Sequence, residues 1–222
     1  MKPVPLMTAI LLGVFAFGAW ATEKPPEVDS NGLHLVHHSE LRVVYRLPGA
    51  DLSKYDKVIL VDAYVAFRKN WERDQNETSA FRVHKNDVEA IKKRVGAEFA
   101  KAFTKELGKK GYAVVDKSAT GADVLIVRPA IINLDVEAPD TMQAGMNATV
   151  AASAGQMTLY AELYDSVSNQ MIGKVMDPEA DQGFGGQFMA QNRVTNKAAE
   201  DRIVNRWADV LAKHLHHTVT AP

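Results

Sequence analysis

Thr158-Leu159-Tyr160-Ala161-Glu162-Leu163-Tyr164 runs into Asp165-Ser166-Val167-Ser168-Asn169-Gln170, and then Met171-Ile172-Gly173-Lys174-Val175-Met176 follows. The first segment alternates apolar and polar side chains, the period of a strand with one buried face. The middle segment is turn chemistry, in which Asp, Ser and Asn offer side-chain oxygens to nearby backbone N–H groups. The third segment returns as a strand. The stretch therefore predicts a β-hairpin over residues 158–176, and the rest of the chain is read around it.

Upstream, residues 122–136 are rich in Val and Ile and predict a longer strand. Pro129 lies inside it, which calls for a bulge, a break or an edge position because proline has no N–H to donate. Residues 112–116 predict a short strand. Residues 57–67 predict one strand, with the run Val58-Ile59-Leu60-Val61 apolar throughout, as in a strand covered on both faces. Residues 41–47 offer one more short strand before the turn at Pro48-Gly49.

Two long helices frame these strands. The first starts near Asn86, a capping residue with Glu89 at capping-box spacing. Val88, Ile91, Val95, Phe99, Phe103 and Leu107 then recur every three or four residues and form one apolar stripe. Gly108 and Gly111 are the stop signals. The last helix is predicted over residues 196–216, with the stripe Ile203, Trp207, Leu211, Leu215 and with Val204 and Ala208 beside it. Residues 138–155 and 177–195 read as two long irregular stretches, a length that often carries function. The expected fold is a single α+β domain, a mixed or antiparallel sheet with two long helices packed on one face. The domain is placed at 46–216, after a lead-in at 22–45 and before a short tail at 217–222.

The N-terminus has its own logic. Lys2 gives a positive start, residues 6–18 form a 13-residue apolar core, and Ala19-Trp20-Ala21 is a small-x-small cleavage site. The core is shorter than the roughly 20 apolar residues a spanning helix needs. The expectation is a signal peptide cut between Ala21 and Thr22, leaving 201 residues in the periplasm. An uncleaved inner-membrane anchor is the alternative. A lipid anchor needs Cys at the new N-terminus; position 22 is Thr and the chain has no Cys at all, so none is expected. Stability must then come from an ordinary core, for which 46% hydrophobic residues suffice.

Charge excludes a class of partner. The formal net charge is −1, and acidic and basic residues alternate along the chain. Lys92-Lys93-Arg94 and Lys109-Lys110 are the densest basic spots and fall on solvated helix positions. No nucleic-acid footprint results.

Candidate chemistry is sparse. His214, His216 and His217 gather near the end of the last helix, where His214 and His217 have metal-ligand spacing and His37-His38 could complete a set. A helix C-terminus attracts histidines by its dipole alone, so no metal is assigned. Asp135 and Glu137 share a strand face if the strand continues, and Asp62 interrupts an apolar run. Ser153 lacks the glycines of a nucleophile elbow. Gly183, Gly185 and Gly186 match neither a P-loop nor a dinucleotide fingerprint. Asn76 and Asn147 begin glycosylation sequons. No catalytic, cofactor-binding or metal residue is assigned.

Leu47-Pro48-Gly49-Ala50-Asp51-Leu52-Ser53-Lys54-Tyr55, a Val/Ile strand and then Trp71 resemble the opening of the bacterial DUF3313 family. Gly111-Tyr112-Ala113-Val114-Val115-Asp116 with Ala122-Asp123-Val124-Leu125, and the hairpin from Ala161 to Gly173, are similar to its later segments. The resemblance covers residues 46–211. It implies a cell-envelope protein with no known activity, and it transfers no functional residue. Many members look like lipoproteins, and the missing Cys departs from that pattern. The expected function is a non-catalytic periplasmic binding or interaction module, with unidentified envelope proteins as partners. A hydrolase with an unrecognised site and an oligomeric subunit of a membrane-associated assembly are the alternatives.

Overall fold

A computed structural model describes residues 24–78, 82–135, 149–151, 155–181, 189–191 and 193–217. Ala19, Ala21 and Thr22 lie outside the described residues. In chain order the elements are β1 (His34–Leu35), β2 (Val43–Arg46), β3 (Lys57–Leu60), β4 (Tyr64–Phe67), α1 (Trp71–Thr78), α2 (Lys85–Lys109), β5 (Ala113–Val114), β6 (Val124–Asp135), β7 (Thr149–Ala151), β8 (Gly155–Asp165), β9 (Met171–Asp181), β10 (Met189–Gln191) and α3 (Arg193–His217). Eight strands form one mixed sheet in the order β1-β2-β9-β8-β6-β3-β5, with β4 also paired to β6. β3 runs parallel to β5 and β6, and β4 parallel to β6; the other pairs in this sheet are antiparallel. β7 and β10 form a separate antiparallel pair. The protein is a single α+β domain, and the stretch expected as a lead-in contributes β1 and most of β2 to its sheet.

The hairpin forms where the alternation places it and is longer than expected. β8 and β9 pair from Gly155↔Asp181 to Tyr164↔Met171. The turn is fixed by Asp165, whose Oδ1 accepts the N–H groups of Val167 and Ser168 at 3.1 and 2.9 Å. Asn169 takes a left-handed φ of 54°, which Asn tolerates better than most residues. Residues 177–181, expected to open an irregular stretch, instead continue β9, Pro178 included. β2 ends its pairing at Met176, so Pro178 sits where no neighbour on that side needs its N–H.

Pro129 marks a similar gap. The expected single strand at 57–67 is two strands. β3 pairs with residues 124–127 of β6 and β4 with residues from 130 onward. Three residues of one chain segment, 61–63, pass two of β6, and Pro129 is one of those two. The parallel ladder breaks at the residue that cannot donate.

Three helices are described where two long ones were expected. α1 is short and polar, and its anchor is Trp71, buried and stacked on Phe67 with ring centroids 4.0 Å apart. Polar composition hid it, because no apolar stripe runs along eight residues with one anchor. α2 begins one residue before Asn86. Its cap is His84, whose backbone N–H donates to Asp87 Oδ2 at 2.9 Å. The capping spacing is the expected one, shifted two positions upstream. Replacing Asp87 by Ala should cost about 1 kcal/mol; a urea midpoint unchanged by the substitution would show that the cap is idle.

One core cluster joins Ile91, Val95, Phe99, Phe103 and Leu107 of α2 to Val204, Trp207, Ala208, Leu211 and Leu215 of α3. The same cluster takes in Leu125, Val127 and Ile131 of β6, Leu159, Ala161 and Leu163 of β8, and Val175 of β9. A second cluster of Leu33, Val43 and Tyr45, with Met171 and Met176 against it, lies at the β1-β2-β9 end. Register separates the two. Val175 pairs with Ala161 and Val44, whereas Met176 pairs with Tyr160 and Val43 and so points to the opposite face. α3 is tied to β9 by Asp177, which accepts the indole Nε1–H of Trp207 at 2.9 Å and the Arg206 guanidinium at 3.0 Å.

Candidate functional site

Leu159, Ala161 and Leu163 enter the main core, so the alternate residues Tyr160, Glu162 and Tyr164 stand on the other face of β8. Register then assembles a row across four strands. Arg128 of β6 lies opposite Glu162, Glu162 opposite Lys174 of β9, and Lys174 opposite Tyr45 of β2. An adjacent row runs Tyr64 of β4, Ala130 of β6, Tyr160 of β8 and Met176 of β9.

The first row is knitted by polar contacts. Tyr160 Oη donates to Glu162 Oε1 at 2.7 Å, and Tyr164 Oη donates to Glu162 Oε2 at 2.7 Å. The Arg128 guanidinium lies over the Tyr164 ring, 4.5 Å from its centroid. Lys174 pairs with Asp29 and lies 5.1 Å from the Tyr45 ring centroid. Tyr45 Oη donates to the Pro26 carbonyl at 2.8 Å. The lead-in thus covers the β2-β9 end of this face. Towards β4 the face is more open, and Tyr64 is 60% exposed.

Burial, reinforced by the bond to Glu162, pushes the Tyr160 hydroxyl far above its ordinary value. The same two causes push Tyr164 up to about 12. Both hydroxyls hold their protons at neutral pH and direct them to Glu162. Each oxygen of that carboxylate therefore has a tyrosine donor. The cluster presents rings, phenolic lone pairs and one guanidinium.

Residues 158–164 advertise this cluster in sequence. Tyr-x-Glu-x-Tyr at period two puts three polar side chains on one strand face. Arg128 carries no such signal, because its place opposite Glu162 depends on which strands are neighbours.

The residues singled out from sequence are dispersed. Asp62 is solvated and pairs with Lys117 at 2.6 Å. Asp135 pairs with Arg68 at 2.6 Å, and the same guanidinium holds Asp74 of α1 at 2.5 Å. His214 uses both ring nitrogens, Nδ1 with the Val210 carbonyl at 2.9 Å and Nε2 with Ser39 Oγ at 3.0 Å. His37 sits beside Glu27 at 3.0 Å. Among the described residues no group of three or more His, Asp or Glu is placed to hold a metal ion. The Asn76 side chain is engaged at both ends by the Val83 backbone, at 2.7 and 3.2 Å. Lys92 and Lys109 pair with Glu89 and Glu106 on their own helix. Glu137, Asn147, Ser153, Gly183, Gly185 and Gly186 lie outside the described residues, as do the side chains of His216 and His217.

Asp165 is the other concentration of polar contacts, and it holds structure. Beyond the turn it accepts Tyr55 Oη at 2.8 Å and Lys54 Nζ at 3.0 Å. The Ser168 backbone N–H, then Tyr55 and Lys54, hold its carboxyl well below the ordinary 3.8. A folded value below the unfolded one stabilises fully above about pH 4, and the contribution fades as pH falls further. Thermal midpoints recorded from pH 7 to pH 2 should fall more gently below pH 4 for Asp165→Asn than for the parent. Parallel curves would contradict this role.

A family model described as "Protein of unknown function (DUF3313)" matches residues 34–211. The chain belongs to the DUF3313 family. No curated protein matches this member of DUF3313. Among solved structures, the PelC dodecamer from Paraburkholderia phytofirmans is 10% identical, with 75% of this chain and 96% of that chain covered and a TM-score of 0.40. Protein XCC0632 from Xanthomonas campestris is 12% identical, with 78% and 90% covered and a TM-score of 0.43. A DUF4136 family protein from Bacteroides thetaiotaomicron is 9% identical, with 85% and 98% covered and a TM-score of 0.37. These likenesses are too remote to transfer an activity or an assembly to the DUF3313 chain. No helix among the described residues is long and apolar enough to cross a membrane.

Proposed function

We propose that this DUF3313 protein is an exported, non-catalytic binding module of the bacterial cell envelope. Its contact surface is the sheet face bearing Tyr64, Arg128, Tyr160 and Tyr164. The observation that carries this reading is the closure of Glu162 by two tyrosine donors. Both carboxylate oxygens are engaged by tyrosine donors, and the cluster offers rings and a cation on a rigid sheet. Export rests on the positive start, the 13-residue apolar core and Ala19-Trp20-Ala21, and release into the periplasm rests on Thr22 in place of Cys. Both long helices share a core cluster with one set of alternating sheet residues. This supports their packing on one face, with the tyrosine face left for contact.

The reading is tested in living cells by placing a photo-crosslinking residue at position 64 or, as a control, at position 93 on α2. A discrete covalent adduct from position 64 that disappears with Arg128→Gln is the expected result, together with a mature N-terminus at Thr22. No adduct from position 64, or the same adduct from both positions, would overturn the contact surface. Any turnover lost on Glu162→Gln would overturn its non-catalytic character.

A further inference from the structure

We infer that the ligand of the tyrosine face is a saccharide that carries carboxylates. This rests on the proposed contact surface and adds the class of ligand. The face has an unequal set of hydrogen-bonding groups. Tyr160 commits its only proton to Glu162, so towards a ligand its oxygen can only accept. Arg128 has only donors. It is exposed, it lies against Tyr164, and it makes no ion pair with a described carboxylate. The nearest acid, Glu162 directly opposite, already accepts from both tyrosines. A complementary ligand must bring a hydrogen-bond donor for the Tyr160 oxygen and, close by, an anion for the guanidinium. A sugar acid brings both on one ring.

Shape agrees with chemistry. Tyr64 and Tyr160 stand on either side of Ala130, one strand away each. With strands about 4.8 Å apart, the two tyrosine positions are roughly 10 Å apart across a methyl floor. One six-membered ring fits that spacing and can lay its apolar C–H face on an aromatic ring. A neutral sugar leaves Arg128 without an anion. An acidic peptide supplies anions and N–H donors but no rigid six-membered ring to fill the space between the two tyrosines. Nucleic acid wants a basic field, and this chain carries a formal charge of −1.

Isothermal titration of the mature protein with tetragalacturonate, and with cellotetraose as the uncharged control, tests the inference. Tetragalacturonate should bind and cellotetraose should not. Arg128→Gln should weaken binding about tenfold or more, as removal of a charge-assisted contact does. Tyr64→Ala should weaken it too. Both side chains are exposed, so circular dichroism should show unchanged folds. Absence of tetragalacturonate binding, equal binding of cellotetraose, or insensitivity to Arg128→Gln would each overturn the inference. If position 64 still cross-links in cells while tetragalacturonate fails to bind, the ligand class is wrong and the contact surface stands. Failure of both removes both.

Discussion

Replacing Trp207 by alanine is expected to destabilise the protein by roughly 3–5 kcal/mol, the range for emptying a buried aromatic site. Trp207 is fully buried, at 0% exposure, in the cluster that joins α2, α3 and the sheet. Its neighbours belong to β-strands and a long helix, elements that cannot collapse far into the space left behind. A second loss comes from the indole N–H, which reaches Asp177 on β9. Trp207→Phe separates the two. It keeps most of the ring volume and removes the donor, so about 1–3 kcal/mol should go. Urea unfolding measures both, and a Trp207→Ala variant within 1 kcal/mol of the parent would contradict the packing argument.

Asp177→Ala is expected to be comparably severe, again roughly 3–5 kcal/mol, because it breaks a buried charged network by removing one partner. Asp177 is 3% exposed and accepts the Arg42 backbone N–H at 2.8 Å, the Arg206 guanidinium at 3.0 Å and the Trp207 indole at 2.9 Å. One carboxylate thus ties β2 and α3 to β9. Arg206 keeps Glu179 as a partner; the Arg42 and Trp207 donors lose theirs. Asp177→Asn should cost less, since its carbonyl still accepts. In a double-mutant cycle, Asp177→Ala and Trp207→Phe should cost less together than the sum of the two, by more than about 0.5 kcal/mol. Simple additivity would show that the indole bond contributes nothing.

Sequence periodicity was legible wherever an element buries one face. The α2 stripe from Ile91 to Leu107 and the α3 stripe from Ile203 to Leu215 are the stripes that enter the core. The hairpin turn was legible because Asp165 and Asn169 act locally. Reading falls short at strand ends, at breaks in a neighbour's ladder and at short polar segments. Residues 177–181 read as irregular, although β8 keeps them in the sheet and the absence of a β2 neighbour there accommodates Pro178. Residues 57–67 looked continuous, although Pro129 on a different strand interrupts their ladder. No pattern marks α1, and the contact of Trp71 with Phe67 anchors it. In the first two cases the deciding group lies on a segment distant in sequence; in the third a single local aromatic contact decides.

The site divides along the same line. Sequence alone determined that Tyr160, Glu162 and Tyr164 share a strand face, because side-chain direction follows from period two within one strand. It also determined the α+β character, the two long helices and the resemblance that the DUF3313 match bears out. Only the tertiary structure decided that Arg128 and Lys174 flank Glu162, that Tyr64 stands across Ala130 from Tyr160, and that Asp177 meets Trp207. Strand order and register are settled by packing the whole chain at once. A local pattern says which way a side chain points, and the global fold says what it points beside.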